Sequence, residues 1–177
     1  VADDEALLAA LTVLHQHGHI GQPLVEAVAH SERFVRAVPA DARTLLDLGS
    51  GGGLPGLVIA DRRPSLRVTL VERRQNRADD LRRAVGRLAF GDRVRVVTGE
   101  VDAMSGSFDV VTARAFAAPI ITLRAAMRLL AGDGVALISD PPGDTQQHWR
   151  AALALMGDSV IDLGSDEGVH RFGRRFT

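Results

Sequence analysis

Short apolar runs alternate with longer stretches whose apolar residues recur every three or four positions. That alternation predicts a parallel sheet covered by helices on both faces. Ala6, Leu7, Ala10, Leu11 and Leu14 keep helical spacing, as do Leu24, Val25, Val28, Phe34 and Val35, so two helices are expected first. Pro39 and Asp41 break the chain ahead of a first strand, Thr44 to Leu48. A glycine cluster follows, then a short helix from about Pro55, with proline in the first helical position it favours and Pro64 ending the element. The second strand runs from Arg67 to Val71 and closes on Glu72, and the helix after it turns Ala78, Leu81, Val85 and Leu88 inward. Strands at Val94 to Val97 and Phe108 to Thr112 come next, then a helix over Pro119 to Leu130. Gly132 and Gly134 are expected to turn the chain into a fifth strand, Val135 to Ser139. A helix around Gln146 to Met156 takes Asp144 or Thr145 as its N-cap. Two β-like segments, Ser159 to Leu163 and Val169 to Phe176, end the chain; with no helix between them they must pair antiparallel.

Composition narrows the chemistry. A chain of 177 residues, 46% hydrophobic and 24% charged, is sized for one core. We expect one α/β unit, with residues 41–177 as its body and residues 1–40 as helices packed on it. No apolar run approaches the ~20 residues that span a bilayer. The opening Val1-Ala2-Asp3-Asp4-Glu5 is acidic where a signal peptide would be basic. No membrane association, a cytoplasmic location and a monomer are therefore expected. The chain has no cysteine, which excludes disulfides, thiolate metal ligands and cysteine nucleophiles. All 21 basic residues are arginine, so Schiff-base chemistry and a Walker lysine are excluded too. The formal net charge of −1 supplies no overall attraction to nucleic acid.

The segment Asp47-Leu48-Gly49-Ser50-Gly51-Gly52-Gly53 joins a buried strand to a helix N-terminus. Glycines there allow positive φ and close approach of a ligand to the backbone, and the helix start offers unpaired N–H groups. From Gly51, the run Gly51-Gly52-Gly53-Leu54-Pro55-Gly56 matches the dinucleotide pattern G-x-G-x-x-G. From Asp47, the pattern is D-x-G-x-G-x-G, which resembles the first motif of class I methyltransferases. An acid at Asp47, two closing antiparallel strands and the phrase Phe108-Asp109-Val110-Val111 favour the second reading. Glu72 suits both, since an acid about 20 residues beyond the loop binds ribose hydroxyls in either class.

The longer phrase Gly49-Ser-Gly-Gly-Gly-Leu-Pro-Gly56, together with Thr112-Ala113-Arg114-Ala115-Phe116-Ala117, resembles the bacterial small-subunit ribosomal RNA guanine-N7 methyltransferase family (RsmG or GidB), over roughly residues 40–177. The resemblance implies a Rossmann-like class I methyltransferase fold: a mostly parallel seven-stranded sheet with an antiparallel last strand and helices on both faces. It implies S-adenosyl-L-methionine as cofactor, held by Asp47, Gly49, Gly51, Gly53, Leu54, Glu72, Val101, Asp102 and Arg114. Of these, Val101 would flank the adenine, and Arg114 would reach the methionine carboxylate or line the substrate mouth. Ribosomal RNA or the small ribosomal subunit is the implied partner, and guanine N7 the implied acceptor. The chain departs from the family at Glu100 (usually arginine), at Ala113 (usually serine), and at Asp140-Pro141-Pro142-Gly143 (usually lysine-glycine); it also lacks the family's Asn-Leu-Thr phrase. Two of these changes put negative charge where the family has positive, which disfavours a phosphate-rich acceptor. A small-molecule or protein acceptor and a non-catalytic cofactor-binding domain therefore stay open.

Other features are read as structural. Asp140-Pro141-Pro142 follows strand five and reads as a rigid loop rather than as the catalytic D-P-P phrase of amino-group methyltransferases. His15, His17 and His19 fall at a helix C-terminus, where the dipole favours histidine, without a matching carboxylate in the sequence; no metal site is expected. Arg73, Arg74, Arg77, Arg82, Arg83 and Arg87 read as a solvated helix face. Phe116 is the aromatic nearest the expected substrate mouth, with packing on the sheet as the equal alternative. No catalytic residue is assigned, because a guanine N7 lone pair needs no deprotonation.

Overall fold

A computed structural model describes residues 4–143 and 145–175. Asp144, one of the two expected N-caps, lies outside the described residues, as do Phe176 at the expected end of the last strand and the opening Val1-Ala2-Asp3. The two periodicities resolve into α1 (Asp4–Gln16), α2 (Leu24–Ala37), β1 (Thr44–Leu48), α3 (Gly56–Arg62), β2 (Arg67–Glu72), α4 (Gln75–Arg87), β3 (Val94–Thr98), β4 (Phe108–Ala113), α5 (Pro119–Leu129), β5 (Leu130–Ser139), α6 (Thr145–Met156), β6 (Val160–Asp166) and β7 (Val169–Arg174). The seven strands form one sheet in the order β3-β2-β1-β4-β5-β7-β6, in which β7 alone runs opposite to the other six. The expected class of sheet and its antiparallel last strand are observed.

Alternation along each strand sorts side chains onto two faces. On β1, Leu45 joins Val68, Leu70 and Val110 in a core capped by α1 to α4, while Leu46 and Leu48 join Val71, Val111 and Ile138 under α5 and α6. Each fully buried leucine contributes about 1.5–3 kcal/mol over its exposed state. Asp47 shares Leu45's face, so its carboxyl points at the start of α3. The first two helices belong to the same core: Leu7, Leu11, Leu14, Ala27 and Phe34 are buried in it.

Strand order reverses at β1, which lies between β2 and β4. In open parallel sheets that reversal opens a crevice at the carboxyl ends of the strands. At the opposite end, the Asp109 carboxylate accepts the backbone N–H groups of Arg43 (2.8 Å) and Thr44 (2.9 Å), fixing β1 against β4. The phrase Phe108-Asp109-Val110-Val111 therefore carries a structural clamp far from the crevice.

Two expectations need correcting. The fifth strand begins at Leu130, directly after α5, and Gly132 and Gly134 lie within it rather than in a turn before it. Its register against β4 jumps from Phe108↔Leu130 to Val110↔Val135, so the glycines form an irregular extra stretch inside the strand. Gly134 is needed there because a Cβ would lie 2.7 Å from the Asp109 carbonyl oxygen. Pro55 precedes α3 instead of occupying its first turn, and the helix starts at Gly56.

Candidate cofactor-binding site

The glycine loop is tied down from three sides. Ser50 N–H donates to the Val71 carbonyl (2.8 Å) and Gly53 N–H to the Ser50 carbonyl (2.7 Å). The Glu72 carboxylate, at the tip of β2, accepts Gly51 N–H at Oε2 (3.0 Å) and Arg74 N–H at Oε1 (2.8 Å). Gly49, Gly51 and Gly53 all have positive φ (64°, 52° and 82°), a conformation available to glycine at little cost. Packing adds a second requirement. A Cβ on Gly53 would lie 2.4 Å from Leu57 Cδ1, and one on Gly52 would lie 2.4 Å from Ile20 Cγ1 and 2.8 Å from the His19 carbonyl oxygen.

Asp47 sits beneath the loop, 1% exposed. Its Oδ1 accepts the Thr112 hydroxyl at 2.7 Å. Its Oδ2 has no hydrogen-bond partner among the described residues and faces Gly56, where a Cβ would come within 2.9 Å of it. Burial pushes this carboxyl up to about 6, against the lowering effects of Thr112, Ser50, the Gly56 backbone and the Arg114 charge. Arg114 is half-buried and makes no hydrogen bond among the described residues; burial lowers its affinity for a proton and Asp47 opposes that.

Two cavities open at the carboxyl ends of the strands. The first, about 370 Å³, is lined by the segment His19 to Gln22, the loop residues Gly49 to Gly52 with Leu54, and Arg114. The second, about 260 Å³, is lined by Val71, Glu72, Val101, Glu100 and Phe116 among others. Gly49, Arg77 and Ala115 line both, so the two meet over the glycine loop. The Phe116 ring closes on Gly49, where a Cβ would lie 2.7 Å from Cδ2.

The expected residues divide accordingly. Gly49, Gly51, Leu54 and Arg114 line the first cavity, and Gly49, Glu72 and Val101 the second. Asp47 and Gly53 line neither and act from beneath, on Thr112, Gly56, Leu57 and Leu81. Asp102 is exposed on a short 3-10 turn (Val101–Ala103) and lines neither cavity. That turn is held instead by Arg128, which donates to the Val101 (2.8 Å) and Met104 (2.6 Å) carbonyls.

Arg77, His19, Ile20, Gln22 and Ala115 also line the cavities, a placement that no motif in the sequence marks. A solvated face describes Arg82 and Arg83, paired with Asp79 and Asp80, whereas Arg77 lines both cavities, and Arg73, 3.8 Å from Glu100, and Arg74 line the second. Position in the first turn of α4, beside the loop, was the available signal for Arg77. The segment around Ile20 carried none, since its approach to Gly52 is purely tertiary. Asp140 proves to be no free charge at the mouth: it accepts Trp149 Nε1–H (2.9 Å) and the Ser165 hydroxyl, and His170 lies between it and Asp162. The reading of Asp140-Pro141-Pro142 as a rigid loop fits that network.

Among known proteins, residues 12–141 match the GidB family, described as rRNA small subunit methyltransferase G. The ribosomal RNA small subunit methyltransferase G of a Nocardioides species is 38% identical over 147 residues, covering 77% of this chain and 56% of that protein. The protein of the same name from Methylobacillus flagellatus is 32% identical over 161 residues, covering 89% of this chain and 77% of its own length. The chain thus spans about half the length of the first relative and about three quarters of the second. In structure, the SAH-bound Podospora anserina methyltransferase PaMTH1 superposes with a TM-score of 0.69 at 15% identity, over 98% of this chain and 89% of that one, a likeness of fold. On the extent of the family match and the identity to both relatives, this chain belongs to the GidB family of small-subunit rRNA methyltransferases.

Proposed function

We propose that this chain binds S-adenosylmethionine across the two cavities and transfers its methyl group to guanine N7 of small-subunit ribosomal RNA. The observation that carries the cofactor reading is the meeting of the cavities over Gly49, with the Glu72 carboxylate in one and, in the other, Arg114 without a hydrogen bond among the described residues. A carboxylate has about four acceptor positions; Glu72 spends one on Gly51 and one on Arg74, which leaves two for a vicinal ribose diol. Val71, Val101 and Phe116 give the second cavity apolar walls suited to a flat base. Arg114, with its fork unsatisfied, suits an amino-acid carboxylate in the first. Gly51, which lines the first cavity and where a Cβ would meet nothing nearer than 3.7 Å, leaves the loop backbone bare for close approach.

The bound cofactor would supply an electrophilic methyl group on a sulfonium. The chain's part is to hold the acceptor in line with it and to exclude water. His19 is the one histidine lining the first cavity, and its Nε2 is occupied by Asp80 at 2.8 Å. An acceptor with a free lone pair, such as guanine N7, fits a site without an unoccupied base. The family's name for its substrate supports the rRNA part of the reading. Arg73, Arg74 and Arg77 around the second cavity supply positive charge for a phosphate backbone despite Glu100.

Calorimetry with S-adenosylhomocysteine tests the cofactor, and transfer of labelled methyl groups to small ribosomal subunits lacking the modification tests the acceptor. One-to-one binding and label recovered at guanine N7 are expected. No binding at high micromolar ligand would overturn the first part. Labelling of a small-molecule or protein fraction in place of the subunits would overturn the second.

A further inference from the structure

We infer that His17, His19 and Asp80 form a site for a divalent transition-metal ion, with zinc the best match to its donors. The three side chains come from two elements: the histidines follow the end of α1, and Asp80 lies on α4. Their donor atoms all lie within 4.8 Å of one another. His17 Nδ1 and His19 Nε2 are each 2.8 Å from the same carboxylate oxygen, Asp80 Oδ2. The other oxygen, Oδ1, is taken by Arg83, which orients the carboxylate and leaves Oδ2 as a single directed donor. Gly18 between the histidines has φ 73° with open space around it, so the backbone reversal, not packing, is what requires glycine. That reversal brings both rings to one side, using different ring nitrogens.

Two neutral imidazoles and one carboxylate form a borderline N/O donor set of the kind zinc accepts in three-ligand sites, with a remaining position for water. Asp80 and His19 are nearly buried, whereas the His17 side chain is 49% exposed, which leaves an entry path. In the metal-free chain, protons bridge the same atoms as hydrogen bonds; the cation takes their place. Arg83 and Arg87, on the same helix, oppose the added charge, so affinity falls in the micromolar range rather than that of four-ligand structural sites. The sequence alone hid this site, because Asp80 is more than sixty residues from its partners. Its placement matters because the His19 carbonyl and Ile20 cover Gly52, so a cation here clips the covering segment to α4.

The test uses the full chain, free of any histidine tag and stripped with a chelator. Titration with zinc chloride by calorimetry is expected to give one site, and cobalt(II) a visible absorption band. His17→Ala, at an exposed position, and His19→Ala should each weaken zinc by more than about tenfold, as loss of a metal's ligand environment does. His15→Ala, on the exposed face of α1, should bind as the wild type does. Zinc should raise the melting temperature of the wild-type chain and leave that of His17→Ala unchanged. Absence of binding at high micromolar zinc, or equal affinity in both variants and wild type, would overturn the proposal.

Discussion

Asp47 is a buried acid that the fold retains at a cost. Its carboxyl is raised from 3.8 to about 6, first by burial. A raised acid stabilises the fold where it is protonated: the contribution is complete below the unfolded value and is lost as pH rises through about 6. Two pH units correspond to about 3 kcal/mol. Asp47→Asn keeps the acceptor for Thr112 but sets an unpaired N–H group against Gly56, which returns about 1–2 kcal/mol of that. Above neutrality the variant should therefore unfold at higher urea than the wild type, by about 1–2 kcal/mol, with that advantage gone below about pH 4. Urea titrations across pH check this; a constant difference at all pH values would contradict it. The neighbouring glycines separate two roles. Gly53→Ala meets Leu57 at a φ of 82° and should cost about 2–3 kcal/mol of stability. Gly52→Ala instead meets Ile20 and the His19 carbonyl, at the lip of the first cavity. It should weaken S-adenosylhomocysteine about tenfold, or 1.4 kcal/mol, and, because the His19 backbone must shift, also cost about 2 kcal/mol of stability; calorimetry beside thermal melts distinguishes the two, since Gly53→Ala should leave the affinity of the folded chain nearly unchanged.

At the scale of elements, the elements closing the sheet are joined through one carboxylate. Asp140, after β5, receives Trp149 from α6, Ser165 from β6 and His170 from β7. His170 stacks on Phe172 at 4.5 Å, and the Trp149 ring meets Phe172 edge-on at 4.9 Å. Removing the carboxylate leaves the buried indole N–H without its acceptor and releases two further donors. Asp140→Ala should cost about 2–4 kcal/mol, and hydrogen exchange should quicken in α6, β6 and β7 while β1 to β3 keep their protection. Quickening spread evenly over the sheet would show that Asp140 does not join these elements. This network also marks how far sequence carries. The strands and helices were legible because Leu45, Leu46, Val68 and Leu70, or Leu7 and Leu11, show their periods locally. The loop was legible because Asp47 and the glycines are contiguous. Illegible was whatever depends on distant partners: the hold on Asp140, the cover of Ile20 over Gly52, and the continuation of β5 through Gly132 and Gly134. That last feature arises from the approach of β4's backbone, which no local propensity encodes.

At the scale of the molecule, charge bears on how an RNA acceptor would be held. The formal net charge of −1 gives no long-range attraction to a polyanion. The positive groups around the cavities that the cofactor leaves free, Arg73, Arg74 and Arg77, must then supply it locally. Arg73 is partly offset by the exposed Glu100, 3.8 Å away, so about two to three phosphate contacts are available. Counterion release predicts that the logarithm of affinity for a single-stranded rRNA segment falls against the logarithm of salt with a slope of about −2, far shallower than for strongly basic RNA binders. Arg77→Glu should reduce that slope by about one and lower affinity roughly alike across RNA sequences, since a backbone contact carries no base information. Glu100→Arg should steepen it, because it replaces an exposed negative group that Arg73 does not fully offset with a positive one. Filter binding over a range of salt concentrations measures all three slopes. A wild-type slope near zero would mean that these arginines meet no phosphates, and would leave the cavities to an uncharged acceptor.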